Sequence, residues 1–196
     1  MKLHNILLPA LTIFALASCS SENEPATPTA LKITAGFETS SRAIGSTWES
    51  DKIGVYAIAG NANMQEKYKN ISYSTTSTSD IAEFTASAEA IYFEGSQDVT
   101  FCAYAPYESG ATWNKPQINT RSQVVRDQQK RIDFIYATGA VASKNNPTLS
   151  FTGSAAFRHV MSRLVVNIKP GNGMTTPDIA VGGHYIDGLI HDGTFD

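Results

Sequence analysis

Leu31-Lys32-Ile33-Thr34-Ala35-Gly36-Phe37-Glu38 places an apolar side chain at every second position, with Lys, Thr, Gly and Glu between them. A period of two sends alternate side chains to opposite faces of an extended chain, so this segment is predicted to be a strand with one buried face. Working outward, a Ser/Arg/Gly loop follows and residues 52–58 (KIGVYAI) form a second strand. Residues 99–105 (VTFCAYA) are a third, ended by Pro106, and residues 131–137 and 148–152 are two more. The strongest apolar run is 160–168, stopped by Pro170-Gly171-Asn172-Gly173. Residues 72–80 are almost all Ser and Thr, a solvated strand or a loop, and residues 61–68 are a loop or a short helical turn. Only residues 87–93 and 123–129 tolerate a helical spacing. Some seven short strands separated by turn signals, with no fixed-period repeat, give an all-β fold, an antiparallel β-sandwich.

Composition agrees. Apolar residues make up 42% of the 196, which is material for a core and argues against intrinsic disorder. Charged residues are 17%, below the roughly 25% of an average soluble domain. Nineteen Ser and nineteen Thr supply much of the polar surface instead. The formal charge is −3. Neutralising nucleic-acid phosphates needs a basic surplus, so no nucleic-acid partner is expected.

The N-terminus reads as an export signal over residues 1–18. Lys2 supplies a positive start, and the apolar run from Ile6 to Ala17 is too short to span a hydrocarbon core of about 30 Å as a helix. The run ends in Leu16-Ala17-Ser18-Cys19, which resembles the lipobox of bacterial lipoproteins, with the Cys19 thiol as the group to be acylated. Residues 19–30 are polar and Pro-containing and read as a tether; Glu22 and Glu24 behind the lipidated Cys resemble a surface-export signal. With Cys19 consumed, Cys102 has no partner for an internal disulfide, and its alternating apolar surroundings make it a strand residue.

No motif for catalysis is present. There is no Gly-x-Ser-x-Gly elbow, and His159, His184 and His191 have no metal-ligand spacing, although Asp187 and Asp192 lie near the last two. Asp187-Gly188 and Asp192-Gly193 read as turns. No enzyme activity, cofactor or metal is expected. Trp48, Trp113, Tyr104 and Tyr107 suit either a sandwich core or a platform on which sugar rings stack.

Several segments together resemble the fimbrillin family, the pilin lipoproteins of Gram-negative anaerobes. They are Ser41-Arg42-Ala43 followed by Trp48 and Asp51-Lys52-Ile53-Gly54-Val55-Tyr56; Phe101-Cys102-Ala103-Tyr104-Ala105-Pro106-Tyr107; and Phe157-Arg158-His159-Val160-Met161-Ser162-Arg163-Leu164-Val165-Val166-Asn167-Ile168. Asp133 with Ala137, and the closing Gly193-Thr194-Phe195-Asp196, also fit. The resemblance implies transthyretin-like β-sandwich domains: an N-terminal one over residues 31–155, then a junction and the start of a second β domain over 156–196. It also implies a trypsin-like cut between Arg42 and Ala43 that removes the lipidated segment with the strand 31–38. A strand from a neighbouring subunit would then fill the slot. The expected role is that of a surface pilus subunit held in the outer membrane by its lipid. Its partners would be other pilus subunits and, beyond them, host or bacterial surface receptors or glycans. Family members commonly run longer; if donor strands come from the C-terminal end, as in the family's stalk subunits, this chain accepts a strand without donating one. The alternative role is a surface glycan-binding lipoprotein, which would need the exposed aromatics but neither Arg42 nor the removable strand.

Overall fold

A computed structural model describes residues 28–38, 47–49, 51–112, 117–120, 125–162, 164, 166–177, 188 and 192–194. The all-β, sandwich-like expectation is met. Eight strands form one sheet: β1 (Lys32–Gly36), β2 (Lys52–Ala59), β3 (Ile71–Ser74), β4 (Ile81–Ala86), β5 (Val99–Ala105), β7 (Ile135–Ala142), β8 (Thr148–Phe151) and β9 (Arg158–His159). Two short strands, β6 (Gln117–Asn119) and β10 (Asp192–Thr194), pair separately. The helices are short, α1 (Ala62–Lys67) and α2 (Arg126–Ile132), with one 3-10 turn at Gly153–Ala155.

The order across the large sheet is β8-β1-β4-β3-β2-β5-β7-β9. β7 and β8 stand near opposite ends of that order, yet only residues 143–147 join them, closed by a bridge between Ser143 and Asn146. A linker so short reaches under about 20 Å fully extended, so the sheet must curl until its ends approach. The curl encloses the main core, which includes Ile33, Ile53, Val55, Phe101, Leu149 and Phe151, all essentially without solvent exposure. A smaller apolar cluster lies apart from it, made of Tyr56, Cys102, Tyr104 and Phe134 with Tyr136, Val160 and Met161 against it. β5 therefore has nearly every side chain buried, because alternate residues serve two clusters.

Four local expectations are corrected. Residues 131–137 are not strand throughout: the polar helix formers from Arg126 to Arg131 wind α2, and Asp133 N–H still donates to the Gln129 carbonyl at 3.1 Å. Residues 87–93 are not helical; Ile91 N–H donates to the Tyr73 hydroxyl at 3.0 Å and Tyr92 N–H to the Tyr68 hydroxyl at 3.1 Å, which holds the segment extended. The run 160–168 forms no strand among the described residues. Val160 N–H reaches the Phe134 carbonyl at 3.1 Å, but Leu164, Val166 and Ile168 are exposed, so apolar content without a pairing edge is not enough to make a strand. The pairing is also not uniformly antiparallel: β1 runs parallel to β8, which the long chain between them permits.

β4 is the longest strand that the reading above leaves out, and the short β6, β9 and β10 are missed as well. β4 hides between Ser/Thr-rich residues and buries only Ala82 and Phe84. Residues 61–68 resolve as α1, capped by the Asn61 side chain, which accepts from Met64 N–H at 3.1 Å and satisfies a helix-start donor.

Gly54 in β2 makes room for a neighbour. A Cβ there would overlap the Tyr104 ring, including its Cζ at 2.8 Å, and the Asn70 side-chain oxygen. That close approach lets the Tyr104 hydroxyl donate to Asn70 Oδ1, at 2.8 Å, while it accepts from Glu108 N–H at 3.2 Å. Gly54→Val is predicted to destabilise the fold by about 1–3 kcal/mol, the cost of overpacking plus the loss of the hydroxyl's partners. Urea denaturation checks it; an unchanged midpoint would refute the packing assigned to Tyr104.

Candidate functional site

The predicted strand 31–38 contains β1, which lies inside the sheet, sandwiched between β4 and β8. Ile33 sits opposite Phe84 of β4 and Leu149 of β8, and Ala35 opposite Ala82 and Phe151. Among the described residues β8 pairs with no other strand of the sheet. The ends of β1 are fastened as well. Leu31 N–H donates to the Ile91 carbonyl at 2.8 Å, Lys32 N–H to the Pro147 carbonyl at 2.9 Å, and Glu38 N–H to the Phe157 carbonyl at 2.9 Å. Phe157 N–H returns a bond to the Gly36 carbonyl at 2.9 Å. Leu31, Ile33 and Ala35 are buried, and burying a Leu or Ile is worth about 1.5–3 kcal/mol each.

Trp48 closes one end of this seat. It is 0% exposed, and its Nε1–H donates to the Ala35 carbonyl at 3.0 Å. Its ring lies 4.5 Å from that of Phe37 and meets Phe84 and Phe157 edge-on at 4.8 and 5.2 Å. Such aromatic pairs add about 0.5–1.5 kcal/mol beyond area burial. Trp48 main-chain N–H in turn donates to the Ser79 carbonyl at 3.0 Å, so its backbone is moored to the loop before β4 while its indole bonds β1. Taken out of this seat, β1 would leave two open sheet edges and an apolar slot floored by Trp48, Phe84, Leu149 and Phe151.

The sequence-derived site residues fall as follows. Cys19, Arg42 and Ala43 lie outside the described residues, as do Trp113, His184, Asp187 and His191. Asp192 is in β10. Trp48 and Tyr104 are buried, so they cannot stack on sugar rings, and Tyr107 alone of the four aromatics is partly exposed among the described residues. His159 is buried with Asp133, Nδ1 to Oδ1 3.0 Å, and its ring stacks 5.8 Å from Phe37. Among the described residues no group of three or more His, Cys, Asp and Glu side chains is placed to hold a metal ion. Burial pushes the Cys102 thiol up to about 12, the opposite of what a nucleophile needs. Sequence reasoning gave Trp48 no part in seating β1. The available signal was its place just beyond the loop that follows the alternating strand.

Comparison with known proteins adds a relationship. The sequence profile of a family described as fimbrillin-like matches residues 41–196. A crystal structure of a proposed cell adhesion protein from Bacteroides ovatus is similar at 25% identity and TM-score 0.52, over 67% of this chain and 52% of that one. Another, a proposed cell adhesion protein from Bacteroides uniformis, is similar at 28% identity and TM-score 0.51, over 68% of this chain and 47% of that one. The chain thus spans about half the length of these two structures. No curated protein matches.

The buried hydroxyls and thiol predict a base-sensitive fold. Burial raises Cys102 to about 12 from 9.0 and raises Tyr73 to about 12 from 10.0. A raised value means that the native state holds its proton longer than the unfolded chain. This contribution is therefore full below about pH 9 and lost as pH climbs through 12. The urea midpoint should hold from pH 7 to 9 and fall progressively by pH 11, with Cys102 unalkylated by iodoacetamide until the midpoint is crossed. A flat profile to pH 11, or rapid native alkylation at pH 8, would contradict the burial.

Proposed function

The chain belongs to the fimbrillin-like family, and from that premise we propose that it is a surface pilus subunit assembled by strand exchange, with β1 as the removable strand. The observation that carries the proposal is the seat of β1: paired on both sides, buried along one face, and, among the described residues, the sole sheet neighbour of β8. A cut between Arg42 and Ala43 severs β1 from Trp48 and from everything after it, so the seat stays with the body while the strand can leave. The open slot then offers unpaired N–H and C=O groups on both sides and alternate apolar pockets, which suits an incoming extended strand. A donor that fills a slot on one subunit while its own slot faces elsewhere makes a head-to-tail contact, and such contacts propagate as fibres.

Export and anchoring belong to the same proposal. Cys19 takes the lipid, residues 19–30 tether the domain to the outer membrane, and the cut at Arg42 frees the body from its anchor. Residues 156–196 lead into a second β domain. The burial of Trp48 and Tyr104 leaves the glycan-binding alternative without two of its four candidate aromatics.

Limited digestion of the unlipidated chain with a trypsin-like protease tests this reading. The expected result is an early cut giving an N-terminus at Ala43, followed by oligomers that survive electrophoresis without boiling; Arg42→Gln should remain uncut and monomeric. Resistance at Arg42, or a clean cut that leaves only monomers, would sink self-assembly as proposed.

A further inference from the structure

We propose that Trp48 selects which strand can occupy the slot, an inference that rests on the strand-exchange reading above. The selected occupant is an extended segment from another polypeptide with the order apolar, any, apolar, any, Ala, Gly, aromatic. The current occupant shows why.

Ala35 stands in the inward row with Leu31 and Ile33, has no solvent exposure, and sits between Ala82 and Phe151 of the two flanking strands. Its carbonyl takes the indole N–H, so Trp48 fixes one backbone position of the strand and hence its register. A slip by one residue would turn every apolar side chain outward. A slip by two would leave the rows facing correctly but bring Ile33 or Phe37 to the place that Ala35 fills, where a close-packed interior has no spare volume. The next residue is constrained too, since a Cβ on Gly36 would lie 3.1 Å from Ile81 Cγ1 and 3.3 Å from the Asp80 carbonyl. Phe37 then covers the indole. Trp48 is held from the retained side by Ser79, so these demands persist when β1 leaves. A strand that fills the slot shuts the indole N–H away from water, so the N–H then needs an acceptor, and only a strand in the right register supplies one without a clash.

The experiment uses the full chain carrying Trp113→Phe, which leaves Trp48 as its one tryptophan, cut at Arg42 and mixed with synthetic peptides of residues 28–38. Bound peptide is measured by native mass spectrometry and the slot by Trp48 emission. The parent peptide should enter and hold Trp48 emission at a buried wavelength. An Ala35→Leu peptide should bind at least about ten-fold more weakly, the lower range for overpacking a core. A Thr34→Ser peptide, changed on the outward row, should bind within two-fold of the parent. In a Trp48→Phe chain, the parent peptide should dissociate about ten-fold faster, as expected for a lost buried hydrogen bond. Equal binding of the parent and Ala35→Leu peptides would overturn selection by Trp48 while leaving strand exchange standing. A chain that resists the cut, or that admits no parent peptide, would overturn strand exchange and this inference with it.

Discussion

The fold depends on one strand pairing in two directions at once. β1 bonds antiparallel to β4 and parallel to β8, and without it β8 has no sheet neighbour. The short turn from β7 to β8 brings the chain back across the open side of the curl, but only β1 knits that return into the sheet. Main-chain hydrogen bonds, the inward row of Leu31, Ile33 and Ala35, and the indole bond of Trp48 all converge on residues 31–36. This convergence makes the strand both doubly paired and the strand nearest in sequence to Arg42.

Separation of two apolar clusters follows from this arrangement. The main core sits inside the curl and is bounded by β1; the Tyr56, Cys102, Tyr104 and Phe134 group lies apart and does not include β1. The Tyr104 hydroxyl, Asn70 and the Glu108 backbone tie that second group to the loop after β5. Packing interiors are stiff, so loss of one strand costs what that strand touches, and the group built on β2, β5 and β7 keeps its contacts. Physical independence of this kind is what the proposed opening of a slot without general unfolding requires.

Much of this was legible in the sequence, and the failures share a cause. β1, β2, β5 and β8 were readable because their buried side chains alternate or run continuously between clear turn signals. β4 was missed because Ile81-Ala82-Glu83-Phe84-Thr85-Ala86 buries only two side chains and leans on neighbours distant in sequence. The run 160–168 failed in the opposite way, being rich in apolar residues with no edge to pair with among the described residues. For the site, the strand proposed to be removable was visible as a strand from its alternation. The role of Trp48 was not, because a tryptophan between a loop and a strand announces burial but not the carbonyl it will find thirteen residues back.

Hydrogen exchange read by mass spectrometry, on the chain before and after cleavage between Arg42 and Ala43, tests most directly whether β1 is a seated but removable strand. In the intact monomer β1, β4 and β8 should rank among the slowest-exchanging segments. Once β1 has left, protection in β4 and β8 should collapse while β2 and β5 keep theirs, and it should return when oligomers form. Rapid exchange of β1 in the intact chain, or unchanged protection of β4 and β8 after its loss, would contradict the account.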